Sequence, residues 1–163
     1  MFGSIKKMFG GKEKEREMIL APLEGKVVPL SEVSDPTFSQ EILGKGVAII
    51  PSKGRIVAPA DGVLTVMFET KHAVSITTKH GAEIIIHVGL DTVNLKGEHF
   101  TSYKNQGDHV KTGDLLLEFD MDAIKEAGYD VITPVIICNT PNYPDMECQT
   151  GAEVKELDPI IEL

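Results

Sequence analysis

The sequence contains no tryptophan, and aromatic residues make up only 6 % of its 163 residues. A core with so few large rings has to be built from aliphatic side chains, and 15 glycines and 9 prolines supply many turns. No long stretch keeps a helical period, and turn signals separate short apolar runs at intervals of roughly ten residues. The sequence therefore predicts one all-β domain, an antiparallel β-sandwich or barrel with one or two short helical turns.

Cysteines and long apolar runs are also scarce. The two cysteines, Cys138 and Cys148, are too few for a disulfide framework or a zinc knuckle. No run approaches the roughly 18 apolar residues of a membrane-spanning helix. The apolar residues near the N-terminus end at a glycine pair, too early for a secretory signal. These absences predict a reduced protein located in the cytoplasm.

Basic charge is in deficit, with 16 Lys and Arg against 25 Asp and Glu and a formal net charge of −9. This balance argues against a general nucleic-acid binder. The basic residues are concentrated at residues 1–18, which we expect to form a leader separate from a domain at 19–163. An apolar stripe within residues 1–9 predicts a weak contact with an anionic membrane surface, and a frayed chain start is the alternative.

Two segments of the chain have a similar sequence pattern. Residues 21–27 and 58–64 share the pattern Ala-Pro-x-x-Gly-x-apolar. Proline sets the entry angle of a strand, and glycine supplies the conformation of a tight corner. The shared pattern predicts a partly duplicated β motif, with coincident turn chemistry as the alternative. Single-turn helices are predicted at 36–42 and 120–127, the second capped by Asp120 and stopped by Gly128.

Two of the five histidines stand in the arms of a predicted hairpin. His80, His99 and His109 lie in polar turns and are expected at the surface, whereas His72 and His87 lie in the arms themselves. If the residue numbers of each pair across the hairpin sum to 159, His72 is paired with His87 and their side chains lie on the same face. If they sum to 160, the side chains lie on opposite faces, and only a slip or bulge brings them together. Periodicity alone leaves both registers open.

A histidine pair would have useful chemistry. A neutral imidazole is a nucleophile near neutral pH. A second histidine within reach would disfavour double protonation and could donate a hydrogen bond to a phosphoryl oxygen.

Several motifs around these histidines are characteristic, and they occur at 34–38, 44–51, 56–62, 70–76, 86–93, 95–97, 107–119 and 133–139. Together they resemble a known family, the glucose-type IIA component of the bacterial phosphoenolpyruvate-dependent sugar phosphotransferase system. The resemblance covers about residues 20–160 and is strongest at about 36–140.

The resemblance implies a phosphoryl relay. The motif His-x-Gly-x-Asp-Thr places the family's phosphorylated histidine at His87, and Thr-x-His places its supporting pair at Thr70 and His72. By implication the two histidines are adjacent, which we expect to require the bulged register. Asp91 is expected to shape the turn after the strand or to tune His87.

The resemblance also implies partners. The phosphocarrier HPr would supply the phosphoryl group, and a cysteine of a IIB domain of a sugar permease would receive it. Without an attached IIB or IIC segment, we expect a stand-alone IIA whose membrane partner is another chain. Regulatory binding of further proteins is a known duty of some relatives. The residues expected to form a partner-binding rim are Phe38, Ile42, Leu43, Phe68, Ile85, Asp35 and Asp91.

Metal binding is the alternative from a different class. His72 and His87 could ligate a zinc ion shared with a partner's carboxylate, in a regulatory or hydrolytic β-domain. A zinc peptidase would need a third ligand, which the sequence does not offer in a recognisable spacing. No cofactor is expected for the relay itself.

Overall fold

The computed structural model describes residues 16–163 of the protein, and within them the chain forms antiparallel β-strands with two short α-helices. The strands are β1 (Met18–Leu20), β2 (Gly25–Pro29), β3 (Lys45–Pro51), β4 (Arg55–Val57), β5 (Gly62–Met67), β6 (Ala73–Thr78), β7 (Glu83–His87), β8 (Phe100–Ser102), β9 (His109–Val110), β10 (Leu115–Phe119), β11 (Thr133–Ile137), β12 (Glu147–Cys148), β13 (Glu153–Val154) and β14 (Pro159–Glu162).

The strands form one large sheet and two small ones. The large sheet has eight strands in the order β13-β2-β3-β11-β7-β6-β5-β9. The small sheets have three strands each, in the orders β1-β14-β12 and β4-β10-β8. All pairings are antiparallel. The predicted all-β class is confirmed, and the layers fit a sandwich rather than a closed barrel.

The two faces of the large sheet carry different apolar clusters. Alternate residues of the central strands, such as Ile84 and Ile86, point into the main core with the small sheets. The intervening residues include Ala48 and Ile136, which join a second, smaller cluster on the other face. We call this second face the outer face.

The predicted duplication is visible in the backbone hydrogen bonds. Leu20 N donates to Pro59 O at 3.1 Å, and Val57 N donates to Pro22 O at 2.8 Å. A shift of 37 residues converts one bond into the other, so the two Ala-Pro segments cross each other reciprocally.

The strands that follow these segments repeat the same arrangement. β2 pairs with β3 on one side and β13 on the other, as β5 pairs with β6 and β9. The order of equivalent strands in the eight-stranded sheet is therefore the same when it is followed from either edge, and the pseudo-symmetry axis lies between β11 and β7. The two three-stranded sheets are the corresponding copies of one another. The duplicated motif is confirmed.

Both predicted helical turns are present but shorter than expected. Helix α1 spans Pro36–Ser39, and the Asp35 side chain accepts a hydrogen bond from Thr37 N at 2.9 Å. Helix α2 spans Met121–Glu126, and the Asp120 side chain caps it. Single 3-10 turns occur at Leu30–Glu32, Thr92–Leu95 and Thr140–Asn142.

The β6–β7 hairpin adopts the register in which partner numbers sum to 160. Ala73 pairs with His87, Val74 with Ile86, and the ladder continues without a shift to the turn. The expectation of a bulged register is therefore wrong. His72 lies before the first residue of β6, so the alternation of that strand does not fix the direction of its side chain.

The N-terminal end of the described chain is tied to the C-terminus. Arg16 Nε donates to Leu163 O at 2.9 Å and forms an ion pair with Glu162 at 3.2 Å. The rest of the predicted leader, residues 1–15, lies outside the described residues, and its membrane contact stays a prediction. Within residues 16–163, no helix has the length and apolar character needed to cross a membrane.

The glycines of the two Ala-Pro segments are required by close backbone contacts. A Cβ at Gly25 would lie 2.1 Å from Ile50 O, and one at Gly62 would lie 2.2 Å from Thr77 O. We expect Gly25→Ala and Gly62→Ala each to lower the free energy of unfolding by about 3 kcal/mol, because the strands must separate. Urea unfolding measures this effect.

The matched control for these variants is Gly81→Ala. Gly81 has a φ of +98°, but a Cβ there meets nothing within 4 Å. Its substitution should cost only the backbone strain of about 1 kcal/mol. Equal losses at the three glycines would contradict the close-contact explanation.

Candidate functional site

The structure brings His72 and His87 together. Their ring centroids lie 4.9 Å apart, with the planes at 83°. His87 is the last residue of β7 and points to the outer face, two residues beyond the half-buried Ile85. His72 reaches the same place from the bend before β6, where Lys71 has a left-handed backbone with φ of 60°. The bend, rather than a bulge in the ladder, makes the two side chains adjacent.

One nitrogen of each ring has a partner within hydrogen-bond distance. His87 Nδ1 lies 2.7 Å from Gly89 O. Because a carbonyl oxygen only accepts, Nδ1 carries the proton and Nε2 keeps a free lone pair. His72 Nδ1 lies 2.6 Å from Thr70 Oγ1, where either the hydroxyl or the ring can be the donor. The predicted residues Thr70, His72 and His87 thus form one connected site.

The surroundings favour uncharged rings. Burial, together with a smaller effect of the neighbouring His87, lowers the pKa of His72 from 6.5 to about 4. Burial also lowers the pKa of His87, although the Gly89 carbonyl, Asp35 and Asp91 act against it. His72 is therefore neutral near neutral pH, and the environment favours neutral His87 as well.

Two phenylalanines enclose the pair. The Phe38 ring lies 5.0 Å from the His87 ring, and the Phe68 ring lies 5.4 Å from the His72 ring. Phe68 is half-buried, but Phe38 is only 4 % exposed because it packs in the outer-face cluster. Phe38 is a predicted rim residue that lies largely buried beside His87, and its part in partner binding stays a prediction.

The other predicted rim residues have varied environments. Ile42 and Leu43 are 66 % and 38 % exposed. Ile85 and Asp35 are half-buried, and Asp91 is exposed. Phe68, Asp35 and Asp91 lie near the histidine pair, whereas Ile42 and Leu43 line a groove with Cys138 and Tyr143. The three other histidines, His80, His99 and His109, are exposed as predicted.

Comparison with known proteins shows the family to which the chain belongs. Residues 17–143 match the family model described as phosphoenolpyruvate-dependent sugar phosphotransferase system, EIIA 1. The chain belongs to this family. It is therefore an EIIA, a phosphotransferase component of the sugar phosphotransferase system, which agrees with the resemblance found in its motifs.

Individual relatives agree with the family. The chain is 46 % identical to a glucose-specific EIIA component from Oceanobacillus iheyensis over 145 residues, covering 88 % of each protein. It is 53 % identical to a beta-glucoside-specific EIIBCA component from Bacillus subtilis over 131 residues, 80 % of this chain. This EIIA spans only 22 % of the length of that relative.

A solved structure shows the same fold. The glucose permease IIA from Mycoplasma capricolum superimposes with a TM-score of 0.85 at 37 % sequence identity. The match covers 91 % of this EIIA and 96 % of that chain.

Metal binding gains no support from the described part of this EIIA. Between residues 16 and 163, no group of three or more His, Cys, Asp or Glu side chains could hold a metal ion. Zinc at His72 and His87 would need further ligands from another molecule. The hydrolytic alternative is not supported.

Sequence reasoning assigned a role to Asp91 in the loop after β7, but none to Gly89 or Thr92. Gly89 supplies the carbonyl that selects the His87 proton position, with φ of 77°. Thr92 is fully buried, and its hydroxyl donates to Val88 O. The signal was present in the His-x-Gly-x-Asp-Thr motif, but the role depends on backbone geometry that the motif does not specify.

The low pKa of His72 predicts a pH-dependent stability. The folded pKa is about 4 against 6.5 for an ordinary histidine, so the unfolded state binds the proton first as the pH falls. This contribution to stability is present above pH 6.5 and is lost between pH 6.5 and 4. Between pH 7 and 4.5, His72→Gln should therefore lose about 2 kcal/mol less stability than the wild type.

Urea unfolding at the two pH values measures this difference. His80→Gln is the matched control, since His80 is exposed, and it should behave as the wild type does. If His72→Gln lost as much stability as His80→Gln on acidification, neutral burial of His72 would be refuted.

Proposed function

We propose that this EIIA accepts a phosphoryl group from phospho-HPr on His87 and donates it to a cysteine of a IIB domain of a sugar permease. The observation that carries the proposal is the pairing of His87 with His72, in which His87 Nε2 keeps its lone pair. Membership of the family makes phosphoryl transfer the relevant chemistry.

Acceptance of the phosphoryl group requires no proton transfer at His87. Nε2 attacks the phosphorus in line, a P–N bond to Nε2 forms, and the P–N bond to the donor histidine of HPr breaks. The bonding electron pair returns to the donor imidazole. Nδ1 keeps its proton throughout, and this N–H stays hydrogen-bonded to Gly89 O. A neutral His87 is therefore the reactive form, in accordance with its lowered pKa.

His72 is proposed to stabilise the transferred group. If the Thr70 hydroxyl donates to Nδ1 of His72, the proton of the neutral ring lies on Nε2. From 4.9 Å between ring centroids, that N–H can donate to a phosphoryl oxygen bound at His87. Because the His72 pKa is about 4, this donor role needs no positive charge on the ring.

The surface around the pair is proposed as the docking rim for both partners. Ile42, Leu43 and Phe68 offer apolar area that would exclude water during transfer. Asp35 and Asp91 lie close enough to affect His87 electrostatically and would face a basic patch on HPr. The net charge of −9 favours steering of such a partner.

The relatives support a proposed substrate class and setting. Glucose-specific EIIA components support a role in glucose-type sugar uptake. The EIIBCA relatives combine A, B and C components in one protein, which supports a IIB domain as the acceptor. We further propose a cytoplasmic location and a weak membrane contact through residues 1–9, ahead of the domain predicted at 19–163. Regulatory binding, with zinc shared at the interface, is a secondary proposal.

Phosphorylation assays test the assignment of His87. With labelled phosphoenolpyruvate, enzyme I and HPr, the protein should acquire an acid-labile, alkali-stable label that is absent from His87→Ala. His72→Gln should still be labelled, because the nucleophile remains, but should fail to pass the group to a IIB domain. His99→Ala is the control, since His99 is exposed elsewhere. Equal labelling of His87→Ala and wild type would refute the assignment.

Substitution of the rim tests docking separately from chemistry. Ile42→Asp should raise the KM for phospho-HPr about tenfold with little change in kcat, because a charge replaces exposed apolar contact area. The fold should be unaffected, since Ile42 is 66 % exposed.

Leu157→Asp provides the matched control for this variant. Leu157 is 37 % exposed and follows β13, which lies four strands from β7 in the sheet. It should leave both constants unchanged. A KM that is unaffected in Ile42→Asp would remove Ile42 from the docking surface.

A further inference from the structure

The nucleophilic nitrogen of His87 depends on the position of one carbonyl group. Gly89 O accepts the hydrogen bond from Nδ1 at 2.7 Å, which keeps the lone pair on Nε2. If this carbonyl turned away, the neutral ring would be free to move its proton to Nε2. The groups that hold Gly89 O therefore bear on the reaction, in so far as the proposed role of His87 holds.

The peptide group that carries this carbonyl is held at both ends. In a trans peptide, the C=O of Gly89 and the N–H of Leu90 point in opposite directions. Leu90 N donates to Asp130 O at 3.0 Å, on the side away from His87. The plane between Gly89 and Leu90 is thus fixed between the His87 ring and the chain at Asp130.

The preceding peptide group is held in the same way. Gly89 N donates to Ile132 O at 3.0 Å, and Val88 O accepts from the Thr92 hydroxyl. Gly89 connects the two planes with φ of 77°. A Cβ at this position would lie 2.6 Å from both Asp130 O and Thr92 Cγ2, so position 89 has no room for a side chain.

Apart from the bond to His87, three hydrogen bonds hold these two peptide groups, and the bond from Thr92 is the one of the three that a side chain makes. Thr92 is fully buried, and it begins the 3-10 turn at Thr92–Leu95 that closes the loop. The other two bonds join backbone groups and do not depend on residue type. A substitution that keeps the shape of the Thr92 side chain can therefore remove this hydrogen bond to Val88 O.

We propose that Thr92 is a positioning residue for phosphoryl transfer: its hydroxyl holds the peptide at Val88 O and thereby keeps the Gly89 carbonyl on His87 Nδ1. Thr92 does not touch the phosphoryl group. It acts through the proton position and orientation of the His87 ring.

Thr92→Val tests this role, because valine keeps the branched shape and removes the hydroxyl. In protein labelled with ¹⁵N-histidine, NMR of the wild type should show a protonated Nδ1 and an unprotonated Nε2 at His87. Thr92→Val should show averaged ¹⁵N shifts from a mixture of both proton positions. Its kcat for phosphorylation by phospho-HPr should fall about tenfold at an unchanged KM, because the docking rim is intact.

Two further variants separate positioning from general destabilisation. Thr92→Ser keeps the hydroxyl and should restore both the NMR signature and kcat. Thr78→Val is the matched control: Thr78 is also buried and hydrogen-bonded, but it lies at the opposite end of β6 from His72. It should leave the His87 signals and kcat as in the wild type. If Thr92→Val does not fold, Thr92→Cys, a near-isosteric weak donor, replaces it with the same expected direction.

The outcomes distinguish this inference from the function on which it rests. Unchanged His87 ¹⁵N shifts and unchanged kcat in the valine or cysteine variant would overturn the role of Thr92 while leaving His87 phosphorylation intact. Failure of Thr92→Ser to restore them would overturn it as well. Absence of label on His87 in the wild type would instead refute the proposed function, and the NMR comparison would still test the effect of Thr92 on the ring.

Discussion

The alternation of side chains along β7 is the constraint on which the site depends. Ile84 and Ile86 point into the main core and are at most 1 % exposed, while Ile85 and His87 point to the outer face. A slip of one residue would exchange the two sets, moving both buried isoleucines to the half-buried outer face and His87 into the main core. The isoleucines would lose part of the roughly 1.5–3 kcal/mol that full burial of each contributes, so the core itself fixes His87 on the outer face.

The duplication gives the large sheet two equivalent halves, and the half that contains β2, β3 and β11 has no histidine pair. Counted from the paired glycines of the two Ala-Pro segments, Gly46 of β3 takes the place of Ala73 of β6. The partner of Ala73 is His87, and the partner of Gly46 is the fully buried Ile136. The same backbone position thus holds His87, the proposed nucleophile, in one half and an isoleucine of the outer-face cluster in the other. The fold supplies the position, and the local sequence decides its use.

Much of this arrangement could be predicted from the residues. Turn spacing predicted the all-β class and the Ala-Pro repeat predicted the duplication, whereas periodicity left both registers of the β6–β7 hairpin open. The position of His72 could not be predicted in this way, because it depends on a lysine in the left-handed region. Lysine has no preference for that conformation, so Lys71 carries no local signal for the bend.

The packing of Phe38 could not be predicted from the local sequence, for a related reason. Asp35, Pro36 and Thr37 predict a helix start, and the capped helix is present. Which face of so short a helix is covered depends on the outer-face cluster, whose members come from distant parts of the chain. Local pattern gives the element, whereas the packing partner of its one large ring is a tertiary property.

The site combines burial with fixed hydrogen-bond directions, and this combination suits a carrier better than a permanent acceptor. Burial keeps His72 neutral and favours neutral His87, even though Asp35 and Asp91 favour the charged form of His87. A neutral imidazole can take a phosphoryl group and lose it again without exchange of a proton with solvent. In the proposed relay, Nδ1 of His87 would stay hydrogen-bonded to the Gly89 carbonyl before and after phosphorylation, so the loop would need no rearrangement. The partners, rather than a change within this domain, would then determine the direction of transfer.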